Sequence, residues 1–188
     1  MIRFVLLIIL LLFLVPSGIA GERGAQRKHF KAEQNAKVKE FQQQLKSENH
    51  DFRESLKGMS QDEKIAARKE HLEGQFDTRK AFREKIHQEN KNFLMNKLQK
   101  NSKLTAEEKS ELIEFFETQH EENVAFREKQ HRENVDFFTK IVNDSSFTMD
   151  QRKAMIKAHR DEQKKENLSH HQEQKEEHAD FKEDLKKE

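Results

Sequence analysis

The sequence predicts an all-α protein of about four long helices, arranged in antiparallel hairpins as an elongated or loosely packed bundle. Three observations predict this class. Phenylalanines recur at 11-residue intervals, and three segments typical of helix starts follow one another at nearly equal spacing. The single proline is Pro16, so no proline breaks a helix beyond that position.

The first 20 residues are typical of a secretory signal peptide. Arg3 supplies the positive charge, an apolar run extends from Phe4 to Val15, and small residues (Gly18 and Ala20) precede the cleavage position. The run is shorter than the roughly 20 residues of a membrane-spanning helix. We therefore expect cleavage after Ala20, a periplasmic location, and contact with the membrane only during export.

Composition excludes several classes of function for the remaining chain, residues 21–188. The sequence has 36 basic and 35 acidic residues, and one basic residue lies in the signal peptide, so the mature net charge is zero. Balanced charge argues against a nucleic-acid partner. There is no cysteine, and we find no nucleophile–base triad or glycine-rich phosphate loop, so we expect no enzymatic activity.

The 11-residue repeat is clearest in two adjacent segments, QHEENVAFREK (Gln119–Lys129) and QHRENVDFFTK (Gln130–Lys140). Eleven residues make three helical turns, so one face of a long helix stays in phase with its partner, as in a coiled coil. The same spacing separates Phe41 from Phe52, Phe82 from Phe93, and Phe115 from Phe126 and Phe137.

A second repeat, of about 44 residues, marks the helix starts. Each copy has an apolar residue, then Ser or Thr, then Glu or Gln three positions later, which is the pattern of a helix capping box. The capping residues are Met59, Ser60 and Glu63; Leu104, Thr105 and Glu108; and Phe147, Thr148 and Gln151. We therefore expect one all-helical domain over residues 21–188, with repeats that start near 59, 104 and 147.

These starts and the short polar breaks before them predict helices over residues 26–57, 61–100, 105–143 and 148–186. Large apolar residues concentrate in the middle two helices. We therefore expect a middle hairpin with a well-formed apolar contact, and outer helices that pack loosely or wrap around a partner.

The phenylalanine stripe allows two interpretations. It forms the packing face of the helices, or it is a partly exposed track that binds apolar segments of other proteins. The second interpretation is favoured by the polar residues between the rings, since adaptable amphipathic surfaces suit loose partner choice. The candidate client-binding residues are Phe82, Phe93, Phe115, Phe116, Phe126, Phe137 and Phe138.

The signal peptide, the all-α chain and the capping segments together resemble the Spy/CpxP family of bacterial periplasmic proteins. That family carries Leu-Thr-x-x-Gln at the head of its long helices. The nearest matches are Phe147–Gln151 and Leu104–Glu108, and Met59–Glu63 is a degenerate copy. The resemblance implies a stress-response chaperone, often a homodimer, that binds unfolded clients without ATP, and some relatives bind zinc.

Two other hypotheses remain open from the residues. The first is a periplasmic metal-binding or metal-responsive protein, in which His170, His171 and His178 bind zinc or copper weakly, because imidazole is a good ligand for both ions. Apart from that, no cofactor is expected. The second is a structural helical protein that self-associates through its 11-residue repeats.

Overall fold

The computed structural model describes residues 20–144 and 146–185 of the chain. Within these residues it contains four α-helices and no strand, so the predicted all-α class is confirmed. The helices are α1 (Ala20–Ser55), α2 (Gln61–Gln99), α3 (Ala106–Asn143) and α4 (Met149–Asp184). The predicted signal peptide, residues 1–20, lies outside the described residues except for Ala20.

The helix ends agree with the predicted ends to within two residues, except at the start of α1. There the helix begins six residues before the predicted position and passes through Gly24. One glycine costs a helix only about 1 kcal/mol relative to alanine, so it does not stop a helix that has no proline. Gly58, with φ of 83°, follows α1 in the left-handed conformation that glycine adopts easily.

Capping boxes begin α2 and α4. The Ser60 hydroxyl accepts from the Glu63 amide at 3.3 Å, and the Ser60 amide donates to the Glu63 carboxylate at 2.7 Å. Thr148 and Gln151 make the same reciprocal pair at 3.3 and 2.8 Å. Helix α3 begins directly after Thr105 and carries acidic residues in its first turn, which the helix dipole favours.

The chain divides between Thr105 and Ala106 into two compact units. In the first, α1 packs against α2, and in the second, α3 packs against α4; we call them the first and second hairpins. Each outer helix therefore packs along one neighbour, α1 along α2 and α4 along α3. The contacts described below use His, Gln, Asn and Glu as well as large apolar residues.

Buried apolar residues are sparse in both hairpins. Leu45, Leu56, Ile86, Leu94 and Leu98 are buried in the first, and Leu112, Phe116 and Ile141 in the second. Polar side chains are buried as often, and Gln34 and Gln174 are among the least exposed residues of all. Measured along the part of the chain that the structure describes, every helix falls short of the apolar length needed to span a bilayer.

Candidate functional site

Three stacked aromatic pairs join the helices of the first hairpin. Phe30 stacks on Phe93 with ring centroids 4.1 Å apart, and Phe41 stacks on Phe82 at 3.9 Å. Phe52 stacks on the imidazole of His71 at 3.8 Å. The rings are nearly parallel, with interplanar angles of 4° to 6°. Each ring on α1 is 11 residues from the next, so three helical turns separate successive pairs.

The second hairpin repeats this arrangement with more histidine. Phe115 stacks on Phe181 at 4.1 Å. Two pairs between phenylalanine and histidine follow, at 4.1 Å and 4.0 Å. They are Phe126 with His170 and Phe137 with His159. From each aromatic pair to the next, the chain advances 11 residues on one helix and goes back 11 residues on the other. The three pairs of each hairpin therefore share one antiparallel register.

Hydrogen bonds between glutamine and glutamate keep the same register. Four residues from an aromatic ring, a glutamine on one helix donates to a glutamate on the other. The first hairpin has Gln34 with Glu89 at 2.7 Å and Gln75 with Glu48 at 2.8 Å. The second has Gln119 with Glu177 at 2.6 Å and Gln163 with Glu133 at 3.0 Å.

An asparagine forms a hydrogen bond with the histidine in two of the aromatic pairs that contain histidine. Asn49 lies three residues before Phe52, and its Oδ1 is 3.0 Å from Nε2 of His71. In the second hairpin, Oδ1 of Asn134 is 2.8 Å from Nε2 of His159. Each asparagine also donates through Nδ2 to the backbone carbonyl four residues earlier in its own helix. The amide is thus held in place and fixes where the histidine of the facing helix can lie.

The two hairpins are copies of one pattern. Among the residues that make these contacts, six of α1 recur 85 residues later on α3, and four of α2 recur 88 residues later on α4. The α1 and α3 counterparts are Phe30 and Phe115, Gln34 and Gln119, Phe41 and Phe126, Glu48 and Glu133, Asn49 and Asn134, and Phe52 and Phe137. The α2 and α4 counterparts are His71 and His159, Gln75 and Gln163, Glu89 and Glu177, and Phe93 and Phe181.

The copies differ at their centres, in what we call the central layer. In the first hairpin the central layer is Phe41, Leu45, Phe82 and Ile86, and both aliphatic residues are buried. The second hairpin has Phe126, Gln130, His170 and Gln174 at the equivalent positions. Two buried aliphatic residues and one phenylalanine are thereby replaced by two glutamines and a histidine, which removes most of the apolar contact.

Several polar atoms lack a partner in the second central layer and at Asn123, which lies three residues before Phe126. Gln174 is 1% exposed, and neither atom of its side-chain amide is within hydrogen-bond distance of another group. Nε2 of His170 and Oδ1 of Asn123 are also buried without a partner, although an asparagine–histidine bond forms beside His71 and beside His159. Each such group costs about 1–3 kcal/mol, so the centre of the second hairpin is weak.

The structure places most candidate client-binding residues within the hairpins. Phe82, Phe93, Phe115, Phe126 and Phe137 are half-buried, and each has one face against a ring of the facing helix. Phe138 is half-buried and lies edge-on to Phe137, and Phe116 is only 3% exposed. Most of these rings therefore already contact another ring of their own hairpin in the folded chain.

The candidate metal ligands contact different rings. His170 stacks on Phe126, while His178 is buried and lies edge-on to Phe115 at 5.3 Å. His171, which lies between these two histidines in the sequence, is half-buried. Within residues 20–144 and 146–185, no three side chains of the kinds that bind metals converge on one point.

Burial lowers the pKa of three histidines. The pKa of His71 in the first hairpin and of His170 and His178 in the second falls below the ordinary value, chiefly because burial disfavours the charged imidazolium. In the same region burial, together with the charge of Glu177, raises the pKa of Glu122. Two of these three histidines, His170 and His178, lie in the second hairpin.

Acidification is therefore expected to destabilise the second hairpin through His170 and His178. A histidine whose pKa is lowered on folding stabilises the fold fully above its unfolded pKa, about 6.5, and this contribution is lost as the pH falls below that value. Urea unfolding at pH 7.5 and 5.5 should give a lower midpoint at pH 5.5. His170→Phe, which introduces the residue found at position 82, should reduce the difference. An equal midpoint at both values of pH would contradict this account.

The sequence contains signals for this site that the helical-repeat interpretation missed. The polar partners Gln34, Glu48, Gln75 and Glu89 each lie four residues from an aromatic ring. Their recurrence at the same distances in the second half of the chain is the signal for the site. The 44-residue spacing of the capping segments does not reveal it, because that spacing corresponds to one helix and the copied unit is a hairpin.

No protein-family model, curated protein or solved structure matches the sequence.

Proposed function

We propose that the mature chain is a periplasmic, ATP-independent chaperone-like protein that binds apolar segments of unfolded proteins through the second hairpin. In this proposal α3 and α4 separate at their central layer, and Phe126, Phe137 and Phe138 become available to a client. The resemblance of the helix starts to the Spy/CpxP segments supports the same role, as does the signal peptide expected at residues 1–20.

One observation carries the proposal, the difference between the two central layers. The layer with Leu45 and Ile86 buries aliphatic surface, whereas the equivalent layer buries the amide of Gln174 and leaves Gln130 half-buried. The second layer therefore opens at lower cost, and local opening of this kind is how weakly packed regions expose apolar surface. The rings that become exposed lie among charged residues, which would keep a bound client in solution.

The proposal requires no chemical step and no nucleotide. A client with exposed apolar side chains competes with α4 for the rings of α3, and burying one phenylalanine contributes about 1.5–3 kcal/mol. Binding then depends on how often the hairpin opens, because the competent state is only partly populated. Clients that can still fold would be released as their own apolar groups become buried.

The test measures suppression of client aggregation. The chain over residues 21–188 is added, without nucleotide, to a chemically denatured client, and light scattering follows aggregation. We expect suppression by the unmodified chain, and suppression that is weaker by about a hundredfold or more for Phe126→Ser combined with Phe137→Ser, because two client contacts are lost.

A matched control comes from the equivalent positions of the first hairpin. Phe41→Ser combined with Phe52→Ser removes the corresponding rings there and should leave suppression nearly unchanged. Circular dichroism verifies that both variants remain helical. Equal loss in both variants, or no loss in either, would contradict a client site in the second hairpin.

A further inference from the structure

The two hairpins reach the same register although their connections differ in length. Eighteen residues lie between Phe52 and His71, and 21 lie between Phe137 and His159. Both pairs nevertheless stack, with centroids 3.8 and 4.0 Å apart, and in both the histidine Nε2 contacts an asparagine Oδ1. The register is therefore fixed by side chains along the helices and is not set by the turn.

A register fixed in this way does not require that the two helices belong to one chain. In the second hairpin the contacts between α3 and α4 are ring stacks and hydrogen bonds between side chains. A copy of α4 from another molecule carries the same groups at the same spacing. It can make each of these contacts with α3 at an identical register.

Helix α4 contributes polar side chains to the buried part of its hairpin. Its buried residues among those described are Gln174 and His178, both polar, and no large aliphatic side chain of α4 is buried. Separation from α3 therefore uncovers no buried aliphatic side chain in the described part of α4, and it returns the unpartnered Gln174 amide to water. Opening, the first step of exchange, is favoured by the same features that weaken the central layer.

We propose that two copies of the chain exchange α4, so that α4 of each copy pairs with α3 of the other at the register of the second hairpin. The contacts of Phe137 with His159, and of Gln119 with Glu177, then form between copies. The exchange is reciprocal and therefore produces a closed dimer. It goes beyond the proposed function, since it involves no client and is measured without one.

Disulfide trapping tests the exchange, because the chain has no cysteine of its own. Two single variants, Gln119→Cys and Glu177→Cys, are prepared with one of them isotopically labelled, mixed at high concentration, incubated and oxidised. In the unmodified chain, Nε2 of Gln119 lies 2.6 Å from a carboxylate oxygen of Glu177 on the facing helix. The control mixture pairs two exposed positions, Glu121→Cys and Glu176→Cys.

Exchange predicts a covalent heterodimer that is about tenfold more abundant in the first mixture than in the control, because paired helices hold their thiols at high effective concentration. Sedimentation of the unmodified chain should show a dimer. A chain carrying both Gln119→Cys and Glu177→Cys establishes that the thiols can react within one hairpin. If that chain closes its internal disulfide while the mixture gives no heterodimer above the control, the exchange is wrong.

Discussion

Replacing Gln174 by isoleucine is expected to stabilise the second hairpin by about 1–3 kcal/mol, the cost of a buried polar group without a partner. Gln174 is 1% exposed and neither amide atom has a partner. The equivalent residue of the first hairpin, Ile86, is buried and apolar. The substitution therefore places in the second hairpin the residue that the first already accommodates.

Urea unfolding followed by circular dichroism measures the change. Gln172→Ile is the matched control, since Gln172 is exposed and lies on the same helix, so the same change in helix propensity occurs without any change in burial. The control should change stability by no more than about 0.5 kcal/mol. If Gln174→Ile gives no stabilisation beyond the control, its amide is satisfied in solution and the central layer is not weak for the reason given.

Replacing Phe82 by alanine is expected to destabilise the first hairpin by about 2–3 kcal/mol. Substitution of a fully buried phenylalanine costs about 3–5 kcal/mol, and this ring is only half-buried. Its face lies against Phe41 with centroids 3.9 Å apart, and the alanine would leave that ring without its partner. Met95→Ala, at a residue 37% exposed, provides the control and should have a small effect.

A double-mutant cycle with Phe41→Ala separates the stack from simple burial. Paired aromatic rings contribute about 0.5–1.5 kcal/mol beyond their buried area, and a coupling energy in that range is expected for Phe41 with Phe82. Additive effects of the two substitutions would mean that the rings contribute only as separate apolar groups. The register of the hairpin would then need another explanation.

Much of the fold could be predicted from the sequence because helix starts and helical spacing are local properties. The hydroxyl of Ser60 caps a helix through an amide only three residues away, and Thr148 does the same. The 11-residue spacing likewise places Phe115, Phe126 and Phe137 on one face without reference to any partner. These features need no knowledge of which helices meet.

The pairing of helices could not be read in the same way. Counting large apolar residues favours contact between the middle helices and predicts little packing for α4. The residues of α4 that contact α3 are largely His, Gln and Glu. The ring of His159 acts as an apolar partner only when Phe137 covers its face and Asn134 satisfies its nitrogen. Such a role depends on a neighbour distant in sequence, and it becomes visible only when the register is known.

In the candidate site, too, local features could be predicted from the sequence and contacts between helices could not. The aromatic residues of the stripe were identified from their spacing, but whether their faces are covered depends on the facing helix. Gln174 was indistinguishable from the exposed glutamines near it, because burial of one amide in a highly charged helix leaves no local pattern. Its burial is recognised only by comparison with Ile86, the buried residue at the equivalent position of the first hairpin.

The central claim is that the second hairpin opens at its central layer more readily than the first, and hydrogen exchange of the backbone amides tests it most directly. Mass spectrometry can compare peptides that cover residues 119–137 and 163–178 with peptides that cover the equivalent residues 34–52 and 75–90. We expect faster exchange in the second hairpin, slowed by Gln174→Ile and by a bound client. Equal protection of the two hairpins, or stronger protection of the second, would contradict the account.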